Sequence, residues 1–126
     1  MDKKVKVDEI VIDGTTYVPK GSVSEPAEKI DGMPFVMIRT YSAGVHCGWL
    51  KKQEGKEAEL LESIRIWKWS GAASLSQLAM EGTNNPSECK FGMPITTNHT
   101  LTEVIEVIEM TERAKQSIQN TESWKR

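Results

Sequence analysis

The sequence predicts an α+β fold, with an antiparallel sheet of about four to six strands, a short helix after a tryptophan-rich strand and a C-terminal helix. The first observation is the alternation of side chains at residues 35–41 and 64–69, where β-branched and aromatic residues are typical of strands. The second is a pair of helix-start signals, at Ser74 and at Thr111. Together they indicate a sheet that is followed by a short helix and later by a final one.

Two further strands are predicted, and one segment is ambiguous. Residues 45–51 form a returning strand after the turn Ser42-Ala43-Gly44, and a weaker strand at 58–61 follows the polar turn at 53–56. In residues 101–110 the glutamates recur at every third position, which fits neither the strand period nor the helix period. The β-branched content of this segment favours a strand, whereas its glutamate content weakens that prediction.

Both helices carry capping signals. Ser74 and Gln77 form a capping-box pattern, in which each side chain satisfies an exposed amide of the other residue. This helix should run to about Glu81, where the following glycine is a natural stop. The final helix should begin after Thr111, with Glu112 in its first turn, where a negative charge suits the helix dipole.

The chain of 126 residues is long enough for one domain that folds without a disulfide or a metal. We predict an N-terminal hairpin arm and linker at residues 1–33, followed by an α+β ligand-binding domain at 34–126. Asp13-Gly14 lies between two strand-like segments and favours the tight turn of a hairpin. Residues 19–33 are rich in proline, glycine, serine and charge, as a linker would be. The hairpin is a candidate for packing on another subunit.

Composition limits the classes of partner. The formal net charge is −2 and the sequence pI is about 5.7, which argues against binding of duplex nucleic acid, because that requires a basic surface. This net charge still allows a local basic pocket that binds a small anion. The charged N-terminus does not resemble a secretory signal, and no apolar run approaches the roughly 20 residues that span a bilayer. We therefore expect a cytoplasmic protein with reduced thiols and no membrane partner.

Catalytic motifs are poorly represented, so we do not expect an enzyme. No phosphate-binding glycine loop and no GxSxG motif occurs. Cys47 is adjacent to His46, but neighbours on a strand point to opposite faces, so we interpret Cys47 as a small buried hydrophobe. The spacing of these two residues with Cys89 and His99 matches no zinc pattern. We expect no catalytic residue, no metal and no cofactor.

The sharpest candidate site lies on the strand at 64–69. Its alternation predicts that Arg65, Trp67 and Trp69 share one face. An arginine between aromatic surfaces can bind a phosphate while the rings stack on a base. The same face would also suit a core or a subunit interface, and both interpretations hold if a ligand lies between subunits. Arg39 shares its predicted strand face with Tyr41 and could serve as well as Arg65.

Two other segments are candidates for ligand contacts. Residues 96–100 are dense in hydroxyl and amide groups, which suit hydrogen bonds to ribose and base edges, although a plain turn has the same composition. Arg113 lies near the start of the final helix, where a positive charge opposes the helix dipole. Either an anion or simple exposure to solvent accounts for an arginine at that position.

Over about residues 34–120 the chain resembles a widespread family of small phage and prophage proteins. The resemblance is carried by the segments RTYSAGVHCGWL, IRIWKWSGAASLSQLAMEG, CKF and LTEVIEVIEMTERAKQSI. It is similar to the first-described Thoeris anti-defence family. Those proteins are phage sponges that bind the cyclic ADP-ribose isomers made by bacterial TIR-domain proteins. Some members also hold cyclic oligonucleotides of the CBASS defence system at a separate site, and the family forms dimers that assemble into hexamers.

The resemblance implies a homo-oligomeric phage protein that sequesters a cyclic nucleotide signal in the host cytoplasm without cleaving it. It implies a site built from Arg65 on the central strand, Phe91 as the stacking aromatic, Thr96 and Asn98, and Arg113 on the final helix. We expect the pocket at a subunit boundary. The complete expected set of ligand-binding residues is Arg39, Arg65, Trp67, Phe91, Thr96, Asn98 and Arg113. The alternative is a protein–protein interaction module that inhibits a host protein directly through the same Arg/Trp face.

Overall fold

The computed structural model describes residues 11–12, 15–16 and 25–125. Two short strands, β1 (Val11–Ile12) and β2 (Thr15–Thr16), pair antiparallel at the position predicted for the hairpin. The rest of the predicted arm up to residue 24 lies outside the described residues. The main body is an antiparallel sheet of six strands with two helices, which confirms the predicted α+β class.

The order of strands in the main sheet is β6-β5-β4-β3-β8, and β7 also pairs with β5. Every pairing in it is antiparallel. The strands are β3 (Phe35–Thr40), β4 (Val45–Glu54), β5 (Glu57–Lys68), β6 (Lys90–Phe91), β7 (His99–Leu101) and β8 (Val104–Glu109).

The sheet curls until its two edges meet. β7 lies beside β5 and β8 lies beside β3, yet only Thr102 and Glu103 separate these two edge strands in the chain. Hydrogen bonds hold the connection between β7 and β8 on both sides. Val104 N donates to Lys56 O (2.9 Å), just before β5, and Tyr41 N donates to Glu103 O (2.9 Å), just after β3. The curled sheet therefore has an enclosed face, here called the interior face, and an outer face.

Both helices, α1 (Leu75–Glu81) and α2 (Glu112–Gln119), pack on the outer face, here called the helix-covered face. The buried residues of that core include Phe35, Met37, Cys47, Trp49, Ile64, Ile66, Leu78, Ala79, Phe91, Met110, Ala114 and Ile118. A second, smaller apolar cluster fills the interior face and consists of Val36, Ile38, Ala58, Leu60, Leu101 and Val104. The sheet thus separates two cores.

The predicted helix caps are confirmed. The Ser74 side chain accepts a hydrogen bond from Gln77 N (3.1 Å), while the Gln77 side chain accepts one from Ala73 N (2.7 Å), one residue before the predicted partner. Thr111 Oγ1 accepts from Ala114 N (3.0 Å) at the start of α2. Neither of the helices described here is long and apolar enough to span a membrane.

Part of the predicted linker packs against the domain. Ala27 is buried in the helix-covered core, and its N–H donates to Met110 O (2.9 Å). The Glu112 N–H donates to Glu25 O (3.0 Å), so this segment also satisfies an exposed amide at the start of α2. Residues 25–27 are therefore attached to the body by backbone hydrogen bonds.

A β-bulge resolves the ambiguous segment at 101–110, whose second half is a strand. Arg39 pairs with Glu106 and the next residue, Thr40, pairs with Val104, which leaves Ile105 as the extra residue. Because of this insertion, Val104 and Val107 both contact the interior cluster although they are three positions apart. The bulge does not account for the spacing of the glutamates, because Glu106 pairs with Arg39 and Glu109 with Val36, which lie on opposite faces of β3.

A second bulge joins the two strands that the sequence predicted at 58–61 and 64–69 into one continuous strand, β5. Gly48 of β4 lies opposite two residues, Glu62 and Ser63, and Glu62 adopts a φ of 53°. A Cβ at position 48 would lie 2.9 Å from the Ser63 Cα, closer than real Cβ atoms approach. The bulge and the glycine opposite it therefore depend on each other.

This bulge reverses the alternation of side chains along β5. Leu60, before the bulge, packs in the interior cluster, whereas Ile64, after it, packs in the helix-covered core. Residues four apart on a regular strand would share a face. After the reversal Arg65 faces the interior, where its cross-strand partner is His46.

We predict that Gly48→Ala lowers the free energy of unfolding by about 1–3 kcal/mol, because the added methyl forces the bulge apart. Gly92→Ala is the matched control, since a Cβ there meets nothing closer than 3.6 Å. Urea unfolding of both variants measures the difference. Equal stability of the two variants would contradict the proposed dependence of the bulge on Gly48.

Candidate ligand-binding site

The Arg65–Trp67 pair lies on the interior side of β5, near its C-terminal end. The guanidinium carbon of Arg65 is 5.2 Å from the centroid of the Trp67 ring, within the range of a cation–π contact. Trp67 is 57% exposed, so its ring is available to a second molecule. The prediction that these two residues share a face is confirmed. The same prediction is wrong for Trp69, which lies beyond the end of β5 and packs against the helix-covered core.

Arg65 belongs to a compact group of side chains, here called the interior polar cluster, that consists of His46, Ser63, Arg65 and His99. Ser63 and His46 are fully buried. The Ser63 hydroxyl lies 2.7 Å from His99 Nδ1, and the two imidazole rings meet edge to face with centroids 5.1 Å apart. These contacts within the protein fix the positions of both imidazole rings.

Burial and charge keep both histidines neutral. Burial, together with the positive charge of Arg65 and the neighbouring His99, lowers the pKa of His46 to about 4, although its hydrogen bond to Ala43 O acts in the opposite direction. The pKa of His99 is lowered by burial and then by Arg65. At neutral pH the cluster therefore carries one positive charge, on Arg65. Within the cluster, an approaching anion would be attracted by Arg65 alone.

Two buried polar atoms of this cluster have no hydrogen-bond partner among the described residues. They are His46 Nδ1 and Arg65 Nε. Unpaired buried polar atoms are uncommon in folded proteins and each one calls for an explanation. Their presence on two directly opposed residues makes this part of the interior face the candidate site.

A second aromatic side chain extends the exposed surface around Trp67. Trp124, from the tail that follows α2, lies with its ring centroid 6.1 Å from that of Trp67 and is 42% exposed. Its backbone N–H donates to Phe91 O (2.8 Å), so the tail lies beside β6. Lys90 Nζ is 5.0 Å from the Trp124 ring centroid. Each of the two tryptophan rings therefore carries a cation on its face.

Phe91 does not occupy the position that the resemblance implied for a stacking aromatic. It pairs with Ile66 across the sheet and is 1% exposed, inside the helix-covered core. A ring with both faces packed against the core offers no surface to a base. In the described chain the exposed aromatic nearest to Arg65 is Trp67.

The other two predicted arginines lie away from the interior polar cluster. Arg39 is on the helix-covered side of β3, and its Nε donates to Glu106 Oε1 at 3.0 Å, so its charge already has a partner. Arg113 is exposed on α2 and lines a polar cleft of about 70 Å³ next to Gly82 and Thr83. The structure therefore does not bring the three predicted arginines together.

The predicted polar segment at 96–100 runs alongside β5. Gly92 N donates to Arg65 O (2.8 Å), Ile95 forms a bridge with Ser63, and His99 pairs with Leu60. Thr96 and Asn98 are exposed within this segment, and Asn98 Nδ2 donates to Thr100 Oγ1 at 3.3 Å. Thr96 and Asn98 therefore lie beside residues 60–63 of β5, on the N-terminal side of the Arg65–Trp67 pair.

Sequence reasoning missed the buried members of the cluster. The sequence analysis considered His46 beside Cys47 and in a metal site, and His99 in a metal site and in the polar segment at 96–100, but it did not consider Ser63. Cys47 is buried in the helix-covered core, on the opposite face from His46, and burial raises its pKa to about 12. No group of three or more His, Cys, Asp or Glu side chains in the described part of the chain is placed to hold a metal ion. The β5 bulge, which the sequence does not reveal, is what aligns Ser63 with His99.

We predict that the free energy of unfolding falls by about 2 kcal/mol between about pH 7 and pH 5, because the unfolded chain binds a proton at His46 and the folded chain does not. His99 contributes in the same direction. The contribution is complete above the unfolded pKa of about 6.5 and is lost as the pH falls toward the folded value of about 4. Urea unfolding at several pH values measures the slope.

His46→Leu is the matched control for this prediction, since it removes the titrating group and should flatten the slope. Proton NMR of the imidazole ring gives an independent reading of the same pKa. A His46 midpoint near or above the ordinary histidine value of 6.5 would contradict the buried, neutral state described here.

A comparison with protein-family models finds a match for this chain. The family model for DUF6948, a domain of unknown function, matches residues 33–118, which is more than half of the chain and includes the main sheet and nearly all of α2. No curated protein and no solved structure matches the chain. The protein belongs to the DUF6948 family.

Proposed function

We propose that this protein is a phage anti-defence sponge that binds a cyclic nucleotide immune signal and holds it without cleaving it. The ligand class is the cyclic ADP-ribose isomers of Thoeris defence, with cyclic oligonucleotides of CBASS as a second class. The proposal extends the sequence resemblance. The observation that carries it is the contact of Arg65 with the exposed ring of Trp67 on the interior side of β5.

The chemistry of that pair suits a nucleotide diphosphate. The guanidinium of Arg65 offers a planar set of donors to phosphate oxygens, and the low charge of the neighbouring histidines leaves it the dominant cation of the cluster. Thr96 and Asn98 lie in the segment beside residues 60–63 of β5, and in this proposal their exposed hydroxyl and amide groups serve the ribose. In this proposal Trp67 takes the stacking role that the resemblance gave to Phe91, because its ring is exposed.

The two clefts described near the predicted residues each offer limited enclosure for such a ligand. The described clefts near the predicted residues have volumes of about 70 Å³ beside Arg113 and about 240 Å³ between Cys89 and Trp124. Pockets for drug-sized ligands have volumes of roughly 300–1,000 Å³. We therefore propose that a second copy of the chain completes the pocket, and that the dimer or hexamer is the binding form.

A protein–protein interaction module that inhibits a host protein directly is the second candidate. Trp67 and Trp124 favour it, because tryptophan is enriched at the centres of protein interfaces and both rings are exposed here. An interaction module would lose its partner when Trp67 or Trp124 is changed to alanine and would bind no nucleotide. Alanine at Trp67 or Trp124 would therefore remove binding of a protein partner under the second candidate, and binding of a nucleotide under the first.

Calorimetry of the purified protein against cyclic ADP-ribose isomers and cyclic di- and trinucleotides tests the proposal. The bound molecule is then released by heat and analysed by mass spectrometry. Tight binding with recovery of the intact ligand supports a sponge, whereas recovery of a cleaved product indicates an enzyme. The absence of binding to every one of these nucleotides would contradict the proposed function.

We predict that Arg65→Ala weakens binding of the cyclic nucleotide by about tenfold to a hundredfold, because a charge-assisted contact to phosphate is lost. Lys52→Ala is the matched control, since Lys52 is an exposed cation in the second half of β4, away from the cluster. Calorimetry gives the affinities and thermal unfolding gives the stabilities. If Arg65→Ala lowers the melting temperature and the affinity in parallel, the residue is structural.

A further inference from the structure

We propose that His46 is a positioning residue for Arg65: when the guanidinium leaves Trp67 to bind a phosphate, Arg65 Nε–H donates to His46 Nδ1. The inference rests on the proposed function in one respect, that a phosphate group is the ligand of Arg65. The contact between the two side chains is a property of the protein alone and is testable without any nucleotide.

The tautomer of His46 follows from its surroundings. The ring nitrogen Nε2 lies 2.9 Å from Ala43 O. A carbonyl oxygen only accepts hydrogen bonds, so Nε2 carries the proton and donates. In a neutral imidazole the other nitrogen then has a free lone pair. His46 Nδ1 is therefore a fixed, buried acceptor.

The complementary donor is on the residue directly opposite. His46 and Arg65 are register partners on β4 and β5, and side chains of such partners on one face lie within contact distance. Among the described residues Arg65 Nε–H has no acceptor and His46 Nδ1 has no donor. A buried donor and a buried acceptor that both lack a partner, on opposed residues, would satisfy each other after a small rotation of the arginine.

In the present arrangement the guanidinium lies on Trp67 instead. We interpret this arrangement as the resting state of Arg65. Movement of the guanidinium toward His46 would free its outer edge, whose Nη–H donors match the oxygens of a phosphate. His46 would fix the direction of that edge without touching the ligand, which is why we call it a positioning residue.

The charged and titratable groups around His46 agree with this role. Arg65 on β5 and His99 on β7 both disfavour a proton on His46. The described residues of β3 that face the interior are uncharged: Val36 and Ile38 are apolar, and Thr40 carries a hydroxyl group. A protonated Nδ1 would be a donor and would repel Arg65. The neutral state that the cluster enforces is thus the state in which His46 accepts from Arg65.

The first experiment uses no ligand. Trp67→Ala removes the ring on which Arg65 rests, whereas Trp67→Phe keeps an aromatic face as the control. Nitrogen-15 NMR of the full chain follows His46 Nδ1 and the exchange of Arg65 Nε–H with water. We expect the alanine variant alone to show a shifted Nδ1 resonance and slower exchange of the Nε proton. Unchanged spectra in the alanine variant would overturn the inference.

The second experiment is a double-substitution cycle read by calorimetry, with inorganic pyrophosphate as the probe. His46→Leu removes the acceptor and keeps an apolar side chain of similar size, while His46→Asn keeps an acceptor near the position of Nδ1. We expect about a tenfold loss of pyrophosphate affinity for the leucine variant and near wild-type affinity for the asparagine variant. Arg65→Lys lacks Nε–H, so adding His46→Leu to it should cause no further loss.

Equal losses from His46→Leu in the wild-type chain and in the Arg65→Lys variant would overturn the inference, as would equal losses in the leucine and asparagine variants. The two experiments also separate this inference from the proposed function. If the ligand-free spectra change as expected but no phosphate compound binds, the contact between Arg65 and His46 is real and the proposed function fails. If nucleotides bind but the spectra and the cycle show no contact, the proposed function stands and His46 has no positioning role.

Discussion

The β5 bulge opposite Gly48 is the constraint on which the rest of the structure depends. Two residues, Glu62 and Ser63, face one glycine on β4, and that glycine is at a position where the backbone of β5 approaches too closely for a Cβ. The extra residue reverses the two faces of β5 within a single strand. Leu60 before it packs in the interior cluster, whereas Ile64 and Ile66 after it join the helix-covered core.

The position of the candidate site follows from that reversal. Without the bulge, Arg65 and Trp67 would lie on the side that the helices cover, where a charged guanidinium would have to be buried. With it, they lie on the interior side beside His46 and His99. The curl of the sheet, closed by the short connection between β7 and β8, brings His99 onto the same face. The interior polar cluster therefore combines one charged arginine with two neutral imidazole rings.

Local features of the sequence were sufficient to predict much of the fold. The strands follow from alternation, and the starts of both helices follow from Ser74 and Thr111, because a helix cap is made by residues close together in the chain. The α+β class was predicted for the same reason. These are all features in which the interacting residues are neighbours in sequence.

What could not be predicted depends on contacts between distant residues. Both bulges require knowledge of which residue lies across the sheet, so the face of each side chain after a bulge could not be assigned from alternation alone. Trp69 was placed on the wrong face because it lies beyond the end of β5, after a further register shift between Ile66 and Lys68. The resemblance gave Phe91 a stacking role, but this residue pairs with Ile66 inside the core. The link between Ser63 and His99 spans 36 positions and has no local signature.

The most direct test of the account is an NMR titration of the isotope-labelled protein with a cyclic ADP-ribose isomer. If the bulge creates the binding face, the largest shift changes will fall on β5 after Glu62, on the segment at 96–99 and on the Trp67 indole. Changes that are confined to Arg39 on β3 or to the cleft beside Arg113 would place the ligand on the helix-covered side. That result would contradict the central claim that the reversed half of β5 is the functional surface.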